Sequence, residues 1–160
     1  MYLNYYKDKN FDLLVWNKKN PIPTVNNKYL SDLEYIIFAR DENVKMYNTY
    51  ETSSKLFQTI VNKIDKELYY HPTIKPLQII KTLIKNSSKS DDIVLDCFCG
   101  SGTTCVAAKE TGRRFIGMEI DPEYHKIAVD RLNGINANGQ TSIFTDFVQL
   151  KKEVIKSERI

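Results

Sequence analysis

The residues best equipped for chemistry lie close together in the second half of the chain, in IVLDCFCGSGTT and in RRFIGMEI. Asp96 stands near the end of an apolar run, and Gly100 and Gly102 follow it in a turn where backbone amides can approach a ligand closely. Glu119 comes about twenty residues later, at the end of a second apolar run. From that position a carboxylate accepts hydrogen bonds from ribose hydroxyls, so the spacing implies a nucleoside-containing cofactor. A dinucleotide fingerprint would carry a third glycine. Here Gly100-Ser101-Gly102-Thr103-Thr104-Cys105 continues without one, which argues against a nicotinamide-dependent oxidoreductase.

Such a turn needs a strand before it and a helix after it. The run at 93–98 is the strand, and Val106, Ala107 and Ala108 belong to a helix that Gly112 stops. Residues 113–120 are a second strand. Asp121-Pro122 then reads as an N-cap with proline at the first helical position, and Tyr124, Ile127, Ala128 and Leu132 share one face of the helix behind it. The order is a βαβα unit with a parallel sheet. Upstream, Pro76 opens a helix carrying Leu77, Ile80, Leu83 and Ile84, ended by Asn86, Ser87 and Ser88. FDLLVW at 11–16 and LEYIIFAR at 33–40 are strand-like, and the polar loop NKKNPIPTVNNK between them predicts an antiparallel pair. Residues 41–70 are polar, with Leu56, Ile60 and Ile64 at helical spacing.

Composition narrows the class. The chain has 160 residues, is 42% hydrophobic and 27% charged, and has a mean hydropathy of −0.41, values of a globular domain rather than a membrane-embedded one. No apolar run reaches the ~20 residues of a spanning helix, and the amino terminus has no signal-peptide pattern, so the expected compartment is the cytoplasm. The three cysteines, Cys97, Cys99 and Cys105, are clustered without CxxC spacing or neighbouring histidines. They read as small buried residues, with neither a disulfide framework nor a metal site expected. Net charge is +3, and residues 1–30 carry five lysines against two aspartates, an excess that equals the whole chain's. Lys18, Lys19 and Lys28 of this basic end are the candidates for contact with DNA phosphates.

LDCFCGSGTT resembles the cofactor motif of the S-adenosylmethionine-dependent DNA amino-methyltransferases, with Cys97 where a proline is usual. HPTIKPLQII at 71–80 resembles the segment that precedes this motif in the permuted β-type members, and FIGMEIDPEYHKIAVDRL at 115–132 the segment that follows it. LLVWNKKNPIP and LEYIIFAR resemble the strand, loop and strand before them, so the likeness runs from Phe11 to Leu132. It implies a Rossmann-like α/β methyltransferase sheet flanked by helices. It implies S-adenosylmethionine as cofactor, with Asp96, Phe98, Gly100, Ser101, Gly102 and Thr103 bordering its methionine part. Glu119 would hold the ribose hydroxyls, Ile120 would lie against the adenine, and His71, Thr73 and Lys75 would approach the carboxylate end.

One element of that family does not occur in this sequence. Methylating an exocyclic amine calls for a polar side chain and a carbonyl to accept its protons while an aromatic ring stacks on the extruded base. The family does this with (Asp/Asn/Ser)-Pro-Pro-(Tyr/Phe/Trp). The five prolines here, Pro21, Pro23, Pro72, Pro76 and Pro122, are nowhere adjacent. Asn20-Pro21-Ile22-Pro23 and Asp121-Pro122-Glu123-Tyr124 imitate the tetrapeptide only in part, so no catalytic residue is assigned. The expectation is one partial methyltransferase domain, the carboxyl-terminal portion of a β-type enzyme translated from a separate start. Its parts are a strand-loop-strand segment at 1–42, a variable segment at 43–70 that is the candidate DNA-facing part, a cofactor-binding half at 71–132 and a tail at 133–160. The family's fourth and fifth strands would be missing from it. Its reaction would be methylation of adenine or cytosine amines in DNA, with cofactor binding but no turnover by this chain alone. Expected partners are DNA and either a complementing polypeptide or a second copy, with no membrane. The alternative is a non-catalytic DNA- or partner-binding module that keeps a nucleotide pocket.

Overall fold

The computed structural model describes residues 10–21, 23, 28–61, 66, 67, 69 and 73–136. Strand β1 (Asn10–Lys18) pairs antiparallel with β2 (Leu33–Arg40), Leu13 opposite Ile37 and Val15 opposite Tyr35. The pair expected from the two apolar runs is therefore present. On its other side β1 pairs in parallel with β3 (Leu56–Thr59), giving the order β2-β1-β3.

That third strand corrects the helix expected around Leu56 and Ile60. Over four residues the sequence satisfies a period of two as well as a helical one, and Phe57 and Thr59 turn inward while Leu56 and Gln58 face out. The non-local partner decides between them. Val15 and Lys19 donate their amides to the Lys55 and Thr59 carbonyls at 2.8 and 2.9 Å, and Trp16 Nε1 donates to Thr59 Oγ1 at 2.8 Å. Ile64, the third residue of the expected stripe, lies outside the described residues.

Helix α1 (Leu77–Ser87) begins directly after Pro76, whose extended backbone (ψ 120°) makes it the residue before the first turn. Next come β4 (Ile93–Asp96), α2 (Thr103–Glu110), β5 (Arg114–Gly117) and α3 (Pro122–Leu132), with β4 and β5 parallel. The βαβα unit read from the turn chemistry is thus present, its strands shorter than the apolar runs. Asp121 caps α3, its Oδ1 accepting from the amides of Glu123 and Tyr124 at 2.8 and 3.2 Å.

The core lies on one side of the two sheets. Ile84 of α1 joins Ala107 and Ala108 of α2 in a buried cluster against Leu77, Ile80, Val94 and Phe115. A neighbouring stretch of α1 serves the other sheet, since Leu83 lines one pocket with Leu14, Phe38 and Phe57, and Ile79 lines another with Phe57. Asn86 fastens the far end of α1, donating Nδ2 to the Thr52 carbonyl and accepting the Tyr47 amide, each at 2.8 Å. One helix therefore holds both sheets.

The opposite faces carry Phe11, Leu13, Tyr35, Ile37, Ile93, Leu95 and Ile116, all exposed. Parallel strands such as β4 and β5 are ordinarily covered on both faces, and the row on β1 and β2 is a run of exposed apolar side chains of the kind that marks a contact surface. Among the described residues no hydrogen-bonded strand joins the sheet of β1, β2 and β3 to that of β4 and β5. Over the described residues this is an α/β fold of the Rossmann-like kind with its sheet interrupted, in keeping with the incomplete sheet expected from the sequence.

Candidate nucleotide-binding site

The loop between β4 and α2 is built almost entirely from its own backbone. Asp96 Oδ1 accepts the Phe98 amide at 3.0 Å, which turns the chain as it leaves β4. Two bonds then zip the loop to the end of β5, Met118 N to Asp96 O at 2.8 Å and Cys99 N to Met118 O at 2.9 Å. Gly102 closes the turn, donating its amide to the Cys99 carbonyl at 2.8 Å. Its φ of +76° is a left-handed conformation that side chains disfavour, and a Cβ there would lie 2.9 Å from the Ala128 Cβ of α3. Only glycine satisfies both demands.

Glu119 spans the two halves of the site. Its Oε2 accepts the Gly100 amide at 2.8 Å and its Oε1 the Asp121 amide at 3.0 Å, so one carboxylate joins the glycine loop to the start of α3. The backbone donors of Asp121 and Gly100 hold the carboxyl below the usual carboxylate range, and it is ionised at neutral pH. Each oxygen keeps a lone pair for a further donor such as a sugar hydroxyl. Close to its anchor points along the chain are two apolar side chains with almost no cover, Phe98 just before Gly100 at 90% and Ile120 next to Glu119 at 99% exposure. A carboxylate flanked by bare apolar surface suits a ligand that joins a diol to an aromatic ring, and the residues present therefore fit an adenosyl group.

The remaining loop residues face away from this opening. Ser101, Gly102 and Thr103 are buried against α3, where Arg131 Nη1 donates to Thr103 Oγ1 at 2.8 Å and to the Ser101 carbonyl at 3.2 Å. Behind the loop sits Cys105, also buried. Burial first, then the neighbouring Cys99 and Asp96, push its thiol up to about 11, and burial likewise raises Cys99, so both are protonated packing groups at neutral pH. The expectation of three buried cysteines holds for Cys105 alone: Cys97 is exposed and Cys99 only half-buried, because the loop they belong to lies at the open end of β4.

The other expected residues divide. His71 lies outside the described residues, and Thr73 is exposed. Lys75 is bonded to Glu34 Oε2 at 2.7 Å, while Lys18 takes Oε1 of the same carboxylate at 2.8 Å. Both ammonium groups stand over the Trp16 ring, at 6.0 and 5.3 Å from its centroid. Partial burial raises the Glu34 carboxyl, the two lysines outweigh that effect, and the net shift is downward. Lys18 is thereby engaged inside the fold, whereas Lys19 and Lys28 are exposed. Glu34 and Arg131 escaped the sequence reading. Arg131 could have been noticed as a charge seven residues after Tyr124, on the apolar stripe of its helix.

A family model described as DNA methylase matches residues 3–130, most of the chain. The chain belongs to the DNA methylase family. Among curated members it is 37% identical over 136 residues to the type II methyltransferase M2.DpnII of Streptococcus pneumoniae, a match covering 77% of this chain and 51% of that protein. It is 38% identical over 133 residues to M2.LlaDCHI of Lactococcus lactis subsp. cremoris, covering 75% and 49%. This DNA methylase chain therefore spans about half the length of the curated relatives it matches. Among solved structures, the M1.HpyAVI complex with S-adenosylmethionine superposes with a TM-score of 0.66 at 34% identity, covering 81% of this chain and 66% of that one. The cytosine-N4-specific PvuII DNA methyltransferase, 22% identical with a TM-score of 0.63, shares the fold over 75% of this chain and 50% of its own.

Proposed function

We propose that this DNA methylase chain is the cofactor-holding portion of a DNA amino-methyltransferase. S-adenosylmethionine is its cofactor, and the exocyclic amine of adenine or cytosine in DNA receives the methyl group. The observation that carries the reading is the Glu119 carboxylate, tied to the Gly100 and Asp121 amides, with Phe98 and Ile120 exposed next to these anchor points in the chain. In this reading Glu119 accepts the ribose hydroxyls and Ile120 lies against the adenine. Asp96, Phe98 and the backbone of Gly100, Ser101, Gly102 and Thr103 border the methionine part, with Thr73, Lys75 and His71 toward its carboxylate. When bound, the cofactor supplies a methyl group made electrophilic by its sulfonium.

The chain's own contribution is to hold and orient. The proton-accepting, base-stacking tetrapeptide comes from a complementing polypeptide segment. Support for that segment is the lack of adjacent prolines, together with the edges of β2 and β4 that no strand pairs among the described residues and the apolar faces around Leu13, Tyr35, Leu95 and Ile116. Lys19 and Lys28 meet DNA phosphate, and Lys18, held by Glu34, braces the loop that presents them. The place of action is the cytoplasm.

Equilibrium dialysis against labelled S-adenosylmethionine tests the cofactor assignment. Saturable one-to-one binding is expected, weakened about tenfold in Glu119→Gln because hydrogen bonds to a charged acceptor outweigh those to a neutral one. Absence of binding by the wild-type chain, or full affinity in the variant, would overturn the assignment.

A further inference from the structure

We propose that Arg131 is a positioning residue for the cofactor loop, and that the side chains of Ser101 and Thr103 serve as its anchor points rather than as ligand contacts, leaving only their backbone to border the ligand. The inference rests on the reading that this loop borders the methionine part of the cofactor. Arg131 is 7% exposed, although charged side chains are seldom buried unless they are held by partners. Its Nη1 reaches Thr103 Oγ1 at 2.8 Å, the Ser101 carbonyl at 3.2 Å and Ser101 Oγ at 3.4 Å. The guanidinium carbon lies 4.8 Å from the centroid of the Tyr69 ring, just before the HPTIKP segment. One side chain therefore joins three stretches of sequence: the glycine loop, α3 and the approach to residue 71.

A second contact on the same helix points the same way. Ala128, one turn before Arg131, approaches Gly102 so closely that no side chain fits between them. Ser101, Gly102 and Thr103 are thus seated on α3 from behind, while Asp96, Gly100 and Glu119 remain half-buried and Phe98 exposed on the open side. The start of α3 is fixed to Glu119 through the Asp121 amide. Ribose recognition and loop position consequently share one rigid element, a preorganisation that spares the ligand the entropy of ordering the loop. Losing Arg131 should cost the methionine end of the ligand more than the adenosine end.

The test uses Arg131→Met, Arg131→Lys, Thr103→Val and the Arg131→Met/Thr103→Val pair in the full chain. Amide hydrogen exchange without cofactor should quicken about tenfold at residues 102–104 in Arg131→Met and stay unchanged in α1. Binding of S-adenosylmethionine should weaken about tenfold in that variant and binding of adenosine less than about threefold, with Arg131→Lys intermediate. The double variant should be no weaker than Arg131→Met, since both changes break one contact. Unchanged exchange in the loop, equal loss for both ligands, or additive effects would each overturn the proposal. If Arg131→Met does not fold, Arg131→Lys and Thr103→Val carry the same comparison. A wild-type chain that binds neither ligand refutes the cofactor reading, and the exchange result then decides the role of Arg131 by itself.

Discussion

Replacing Gly117 by alanine probes how tightly β5 is pressed against the glycine loop. A Cβ at Gly117 would sit 2.6 Å from Cys105 Sγ, 3.3 Å from Cys99 Sγ and 3.5 Å from Cys99 Cβ. Non-bonded heavy atoms settle at roughly 3.5–4.0 Å, so the Cys105 sulfur would have to retreat by about 1 Å. It has little room, since Cys105 is 2% exposed and Ala107 and Ala108 in the same helix are fully buried. Gly117 does not have a positive φ, so no backbone strain adds to the steric pressure, and the lower entropy of the unfolded alanine chain offsets only part of it. Overpacking of this kind costs about 1–3 kcal/mol, and we expect about 2 kcal/mol from urea unfolding followed by circular dichroism. Cys105→Ala alone should cost about 1 kcal/mol, close to the loss of one buried methylene. Because it also removes the obstructing sulfur, the Gly117→Ala/Cys105→Ala pair should cost about 1 kcal/mol rather than about 3. A Gly117→Ala protein within about 0.5 kcal/mol of wild type, or strictly additive variants, would refute the packing argument.

Other expectations follow from single contacts. Asp121→Ala removes the cap of α3 and should lower stability by about 1 kcal/mol, with Asp121→Asn close to wild type in the same unfolding assay. The Glu34 carboxyl is held below its ordinary range, so its stabilisation is present above the unfolded-state value and lost as pH falls through the lowered folded-state one. The loss should be about 1 kcal/mol for two partly exposed ion pairs, and an acid unfolding series should show it disappear in Glu34→Gln. Glu119 is shifted in the same direction by the Gly100 and Asp121 amides. Exchange at the Gly100 amide should therefore quicken, beyond the intrinsic pH dependence, as acid protonates Glu119, and Glu119→Gln should abolish that step.

The part of the molecule legible in the sequence is the part whose determinants are local. Asp121-Pro122 caps and starts α3 within its own neighbourhood, and Gly102 closes a turn that runs only from Cys99 to Gly102. Both could be read from residue type and spacing. The strand at 56–59 could not, because its identity depends on parallel pairing with β1, some forty residues earlier, against a local pattern that also fits a helix. Distance along the chain likewise hides the side-chain partners. Lys75 bonds Glu34 across 41 residues, and Arg131 reaches Ser101 across 30. Residue type marked Ser101 and Thr103 as part of the cofactor loop, yet which way each faces follows from the helix packed behind them. Glu119 was recognisable by position, while its bond to Gly100 emerges only when β5 lies beside β4.

We infer that this chain holds the methyl donor while another polypeptide segment supplies the catalytic tetrapeptide. Incubation of the pure chain with labelled S-adenosylmethionine and unmethylated DNA measures it most directly. No transfer of label is expected from the chain alone, and transfer is expected once a polypeptide bearing the Pro-Pro-aromatic motif is added. Methylated DNA from the chain alone would contradict it.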